Sequence, residues 1–314
     1  MVASKPRHRS RRARLQLSFA AVMALLTGPL AGVATAAPSP SGTVDVASAP
    51  VLVAKTTAGP VGYREVGDGT PLVLIMGFDG TMDDWSPSFV DALAANHRVI
   101  VFDNAGVGKT APISDLSIEA MAGQTSALLS ALGLAHPAVL GWSMGGMIAQ
   151  ALAVLHPAQV DRLVLAATQA GTGKAAPVPP AAQAALLSGG ALAVLSVLFP
   201  PGHAAAARAY ALSLLQYPGL YGVTEPVRAA QLSAVEAWLA GQDEVGHNDG
   251  AIAAPTLVAD GTSDALDPVA NDHQLAGLVP RAQLALYTGA GHAFWSQDQA
   301  EFVPRLESFL GASA

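Results

Sequence analysis

The sequence predicts an α/β domain built on a doubly wound, mostly parallel sheet, with a helical insertion between two of its strands. Three observations lead there. Short apolar runs recur at 72–76, 98–102, 138–142, 163–167, 256–259 and 284–287, and they do not alternate with polar residues. A strand apolar on both faces is one covered by helices on both sides, as in a parallel sheet. Helix-like segments at 85–96, 117–132, 144–156, 268–278 and 298–310 separate the runs, and such alternation is the mark of a doubly wound fold. Residues 169–250 break the rhythm. They carry no strand signal, and Pro177, Pro179, Pro180, Pro200, Pro201, Pro218 and Pro226 cut them into short helices.

Taken in order, the chain opens with a segment set apart by its charge. Lys5, Arg7, Arg9, Arg11, Arg12 and Arg14 precede an apolar stretch, a Gly28-Pro29 break and then Ala34-Thr35-Ala36. Basic, apolar and small residues in that order form a secretory signal peptide over 1–36, and the break and the cleavage-type ending argue against an uncleaved anchor. The expected location is therefore secreted or extracytoplasmic, with no stable membrane association after cleavage. Ser10-Arg11-Arg12-Ala13-Arg14-Leu15 also has the form of a twin-arginine export signal, although Arg14 stands where an aromatic residue is usual. Residues 37–43 read as a linker. The α/β core then runs over 44–168, is interrupted by the helical segment 169–250, expected to act as a lid, and resumes over 251–314.

Within the first part, 44–54 and 60–66 are β-like and open the sheet as antiparallel strands. Gly67-Asp68-Gly69 turns the second of them into the run at 72–76. Composition supports one compact domain: 51% of the 314 residues are apolar and 12% charged, which excludes a disordered chain or a coiled coil. With no cysteine, disulfides, thiolate metal sites and a cysteine nucleophile are excluded. Removing 1–36 takes six of the 16 basic residues and leaves 10 against 23 acidic ones, a net charge of −13. A surface that acidic repels nucleic acid and anionic lipid.

Chemistry is carried by three short motifs. Gly141-Trp142-Ser143-Met144-Gly145 has the G-x-S-x-G form of a nucleophile elbow, between a buried-strand signal and a helix signal. Small residues two before and two after the serine allow the sharp turn, and the following helix N-terminus directs amide groups at developing negative charge. His292, in Gly289-Ala290-Gly291-His292, follows the last strand at its carboxyl end, where such sheets place their ligands. Imidazole is suited to accept the Ser143 proton near neutral pH. The other histidines fall in the signal, before prolines, or at surface and insertion positions. Asp264, in Asp260-Gly261-Thr262-Ser263-Asp264, is the carboxylate expected to orient the imidazole, with Asp260 and Asp267 as rivals. The order Ser, Asp, His accompanies this motif on α/β sheets.

Together these motifs resemble the α/β-hydrolase superfamily over about residues 60–312. The resemblance is to lid-bearing serine hydrolases such as carboxylesterases, enol-lactonases, cofactor-free haloperoxidases and C–C bond hydrolases. It implies an oxyanion hole from the backbone amides of Met144 and Phe78, the latter in Met76-Gly77-Phe78-Asp79-Gly80, where many members carry His-Gly. It implies a serine esterase that cleaves a small to medium hydrophobic ester or lactone through an acyl-enzyme, without a metal or other cofactor. C–C hydrolysis or peracid formation by the same groups is the nearer alternative, and a catalytically silent binding module the more distant one. Dehalogenase and epoxide-hydrolase chemistry would place Asp, not Ser, at the elbow. Trp142 and Phe78 are candidates for the acyl pocket, whereas Trp85 reads as core. Leu195, Leu198, Phe199, Tyr217 and Tyr221 are expected to supply apolar contact area in the insertion. Gly108-Lys109-Thr110 has the ending of a phosphate-binding loop, but Asp103 stands where that motif needs glycine. Nucleotide binding is therefore not expected, and the Asp103-x-x-Gly106-x-Gly108 loop reads as structural. The expected partner is a small-molecule substrate.

Overall fold

A computed structural model describes residues 45–311. The expected signal peptide and linker lie outside the described residues. Eight strands form one sheet: β1 (Leu52–Thr56), β2 (Gly59–Val66), β3 (Thr70–Ile75), β4 (His97–Phe102), β5 (Ala138–Trp142), β6 (Arg162–Ala166), β7 (Thr256–Gly261) and β8 (Ala282–Tyr287). Their spatial order is β1-β2-β4-β3-β5-β6-β7-β8. β1 pairs antiparallel with β2, and β2 antiparallel with β4, while the other five pairings are parallel. This is the mostly parallel, doubly wound α/β sheet that the apolar runs predict.

The reason lies in the burial of those runs. Leu72, Val73, Leu74 and Ile75 are all fully buried, as are Leu163, Val164, Leu165 and Ala166. Their side chains alternate between two apolar clusters, Leu72 and Leu74 on one face and Val73 and Ile75 on the other. Each strand is thus packed on both sides, which only apolar residues at every position can satisfy. The helices α1 (Pro87–Ala94), α2 (Ile118–Ala131) and α3 (Met144–Leu155) follow β3, β4 and β5 in turn. Ser117 caps α2, its hydroxyl accepting the Ala120 N–H.

Between β6 and β7 the chain forms α4 (Pro180–Leu187), α5 (Ala191–Leu198), α6 (Ala204–Leu214) and α7 (Glu225–Leu239), with two 3-10 turns after them. α8 (Val269–Leu278) follows β7, and α9 (Phe294–Gln297) and α10 (Gln299–Leu310) follow β8. Among the described residues, no helix is long and apolar enough to cross a membrane.

One boundary differs from the sequence expectation. The first strand begins at Leu52 rather than near residue 44. Residues 45–49 form a hydrogen-bonded turn, the Ala49 N–H donating to the Asp45 carbonyl. Its apolar side chains Val46, Ala47 and Ala49 are buried in the core. The segment is held by side chains rather than by strand pairing, with the Val46 N–H donating to Asp91 Oδ1 at 2.8 Å and Arg64 of β2 donating to the Ala49 carbonyl. Burial alone therefore explains its apolar residues, without a strand.

Candidate functional site

The carboxyl edge of the parallel strands gathers the three sequence motifs. Ser143 sits between β5 and α3 with φ 57° and ψ −122°, a conformation that L residues other than glycine rarely adopt. Its amide donates to the Ala166 carbonyl (2.9 Å), and its own carbonyl accepts from the Thr168 hydroxyl (2.8 Å). The flanking glycines are dictated by space. A Cβ on Gly141 would lie 2.2 Å from the Gly145 carbonyl oxygen, and one on Gly145 would lie 2.1 Å from the Ile75 carbonyl oxygen. Only hydrogen fits at either position, so the G-x-S-x-G spacing follows from the close approach of β3, β5 and α3.

Three non-glycine residues have positive φ among the described residues: Asp79, Ser143 and Ala167. Ser143 is the N-cap of α3, while Asp79 and Ala167 follow the ends of β3 and β6 by a few residues at most. Strain concentrated at one edge is a mark of a functional site.

His292 lies in the loop between β8 and α9, with its side chain buried. Its Nδ1–H donates to Asp264 Oδ2 at 2.6 Å, which orients the ring. Asp264 is in turn held by the backbone amides of Leu266 (2.6 Å) and Asp267 (2.9 Å), both on its other oxygen. Of the three carboxylates the sequence leaves open, Asp264 is the one bonded to the imidazole. Asp260 accepts from the Gly261 amide, and Asp267 accepts from the Asn271 side chain. Burial works hardest against protonation of His292. The charge of Asp264, its hydrogen bond and the charge of Asp267 outweigh burial, and the imidazole stands above its ordinary 6.5.

Ser143 and His292 open together onto a cavity of about 430 Å³. Gly77, Phe78, Asp79, Thr81 and Asp84 line one side of it, and the insertion lines another through residues including Leu186, Leu195, Leu198, Tyr210 and Leu214. A smaller space of about 100 Å³ also reaches Ser143 and His292, between Phe78, Met144, Met147, Leu232 and Val235. The Phe78 and Met144 amides donate to no backbone carbonyl among the described residues. Both residues border the smaller space beside Ser143, and a Cβ on the neighbouring Gly77 would come within 3.2 Å of the Ser143 Cβ.

Trp142 has two parts. Its edge reaches the larger cavity, while its Nε1–H donates to the His292 carbonyl (2.9 Å) and its ring packs on His292 at 5.4 Å between centroids. It thus ties the serine loop to the histidine loop. Trp85 is fully buried against Phe89, Trp142 and Trp295, as a core residue. Leu195, Leu198 and Tyr221 line the cavity, whereas Phe199 and Tyr217 are buried in the core cluster beside it. Tyr217 and Tyr221 also use their hydroxyls, donating to the Trp85 carbonyl (2.9 Å) and to Asp103 (2.8 Å). The Asp103 loop is structural: Thr110 bonds the Asp103 carbonyl and the Gly62 amide, and the space above Gly108 is filled by the Asp103 carboxylate.

Two features escape sequence reasoning. Asp84 lines the cavity, and burial pushes its carboxyl up to about 6 although the Thr81 amide and hydroxyl hold Oδ2. Behind Asp264, the buried side chains of Asp260, Asp267 and Asp272 place carboxylate oxygens within 4.8 Å of one another. The motifs show no clustered ligand set. This grouping comes from a strand end, a loop and a helix turn meeting in space. Burial and mutual repulsion push Asp267 up to about 7 and Asp272 up to about 9, and Asp260 rises in the same direction.

Comparison with known proteins bears on the fold and the family. The alpha/beta hydrolase fold profile matches residues 70–298. A relative from Mycobacterium tuberculosis bearing the name non-heme bromoperoxidase BpoC is 29% identical over 264 residues, covering 80% of this chain and 98% of its own. An alpha/beta hydrolase fold protein from Chitinophaga pinensis superposes with a TM-score of 0.75 at 25% identity, covering 86% of this chain and all of its own. The esterase RhEst1 from Rhodococcus sp. ECU1013 gives 0.66 at 26% identity, covering 84% and 99%. The chain belongs to the α/β-hydrolase fold family, as an enzyme of that family.

Proposed function

We propose that this enzyme is an exported serine hydrolase that cleaves small to medium hydrophobic esters or lactones by acyl transfer. The observation that carries the reading is Ser143, strained at its elbow, sharing a cavity with an imidazole already bonded to Asp264. In this mechanism His292 takes the Ser143 proton as the hydroxyl attacks the carbonyl. The Phe78 and Met144 amides stabilise the tetrahedral oxyanion, which is worth several kcal/mol where two donors are pre-aimed. His292 then returns the proton to the leaving oxygen, and water, activated by the same imidazole, releases the acid. Asp264 holds the imidazole in place and stabilises the imidazolium that forms in each half-reaction.

The cavity supports an apolar substrate, since leucine and other aliphatic side chains of the insertion line much of it. Those helices would then act as a lid. A mature chain without residues 1–36 would act outside the cytoplasm, in keeping with its basic-apolar-small N-terminus. The relative named as a bromoperoxidase favours a second reading, in which the same acyl-enzyme is released by hydrogen peroxide to give a peracid. A chromogenic ester series of increasing acyl length, run with and without peroxide, tests both. Ester turnover that is lost in Ser143→Ala supports the hydrolase. Turnover that requires peroxide replaces it with the second reading, and no turnover in either arm removes both.

A further inference from the structure

The loop that carries Phe78 is fastened to the insertion. The Asp79 amide donates to Gln231 Oε1 (3.0 Å), and Gln231, on α7, is fully buried. Arg228, one turn earlier on α7, pairs its Nε with Asp79 Oδ2 at 2.7 Å. The same guanidinium lies over the Phe78 ring at 5.6 Å and donates to the Leu187 carbonyl at the end of α4 (3.0 Å). Asp79 itself has φ 59°, a left-handed conformation that costs a non-glycine residue free energy unless its surroundings impose it. No other strained residue among the described ones is held by side chains of the insertion in this way.

Together these contacts fix Phe78 from two directions. Gln231 sets the peptide unit that follows it, and Arg228 confines its ring. On the other side Gly77 is pressed against the Trp142 carbonyl and Ser143, with a virtual Cβ only 3.1 Å from the former. What remains is the direction of the Phe78 N–H. We propose that Arg228 and Gln231 are positioning residues for the oxyanion amide of Phe78, so that the insertion completes the site as well as covering it. This rests on the acyl-transfer reading above. An amide that bonds the oxyanion matters in the transition state more than in the bound ester, so its misorientation lowers kcat and spares KM.

The test uses the full mature enzyme with Gln231→Met and Arg228→Met, and Arg228→Lys as the conservative control. Removing one donor from such a hole costs ~100–1000-fold, so a misaimed one is expected to lower kcat by ~10–100-fold with KM within about twofold. Affinity for a boronic acid that mimics the tetrahedral state should weaken in step, affinity for the product acid should not, and Arg228→Lys should recover part of kcat. Hydrogen exchange at residues 77–80 should be faster in both methionine variants. Unchanged kcat in both folded variants, or equal losses in mimic and product binding, overturns the proposal. If the wild type neither turns over esters nor reacts at Ser143, the acyl-transfer reading falls. The exchange measurement then still decides the fastening: faster exchange upholds it and unchanged exchange refutes it.

Discussion

The sheet and the insertion solve the same packing problem by different means. In the sheet, whole strands are buried: every residue from Leu72 to Ile75 is sealed from solvent, so stability is spread over many equivalent apolar contacts. In the insertion, α4 buries only Ala182, and α7 buries Gln231, Ala234 and Trp238. The insertion is attached to the core by a few anchors, many of them polar: the Tyr217 hydroxyl to the Trp85 carbonyl, Tyr210 to the Asp84 carbonyl, Arg228 to Asp79. Leu192, Leu215 and Leu220 remain exposed on it. The loops at the sheet's edge thus hold the proposed reacting groups, and the insertion lines the space in front of them.

Substitutions in the two regions should separate accordingly. The largest effect is expected at the loops on the sheet's edge. Asp264→Asn leaves the shape intact but removes the charge that steadies the imidazolium, and should lower kcat/KM by ~10⁴-fold. In the wild type, activity should fall as pH falls, because His292 must be neutral to accept a proton. The midpoint of that acid limb should lie above 6.5, the direction in which Asp264 moves the imidazole.

Leu74→Ala, at the centre of the sheet, should reduce unfolding free energy by ~2–5 kcal/mol, measured by chemical denaturation. Asp272→Asn should act in the opposite sense. Burial, with the charges of Asp267 and Asp264, pushes the folded Asp272 carboxyl up to about 9, far above the usual carboxylate range. Below about pH 4 both states hold the proton and there is no penalty. As pH rises towards 9 the unfolded state alone gains charge, and folding weakens. The asparagine variant should therefore be more stable by ~1–3 kcal/mol at pH 8 and no more stable at pH 4.

Leu195→Ala enlarges the cavity from the insertion side. It should shift the ratio of kcat/KM between long and short acyl esters by ~10-fold or more while moving the melting temperature little. Leu192→Ser, half-exposed on α5, should change stability by less than ~0.5 kcal/mol. If Leu192→Ser proved as destabilising as Leu74→Ala, the contrast between the two regions would fail.

The same contrast explains what the sequence discloses. The central strands are buried on both faces and apolar along most of their length, so β3 to β7 can be read directly, as can the elbow, where Gly141 and Gly145 have no space for a side chain. Asp264 and His292 are legible because each follows a strand at its carboxyl end. The Arg228–Asp79 pair and the Gln231 contact are not, since their partners lie 149 and 152 residues apart and α7 carries no motif. The meeting of Asp260, Asp267 and Asp272 is hidden for a similar reason. Their spacing matches no ligand pattern, and only the docking of α8 beside β7 brings them together. The buried turn at 45–49 misleads in the other direction, because apolar composition without a period cannot tell a strand from a plug.

The most direct measurement is the site of covalent capture by a fluorophosphonate, read by peptide mapping of the intact enzyme. A single adduct on Ser143, absent in Ser143→Ala and formed much more slowly in Asp264→Asn, is the predicted result. An adduct on any other residue, or ester turnover by Ser143→Ala at the wild-type rate, would contradict the account.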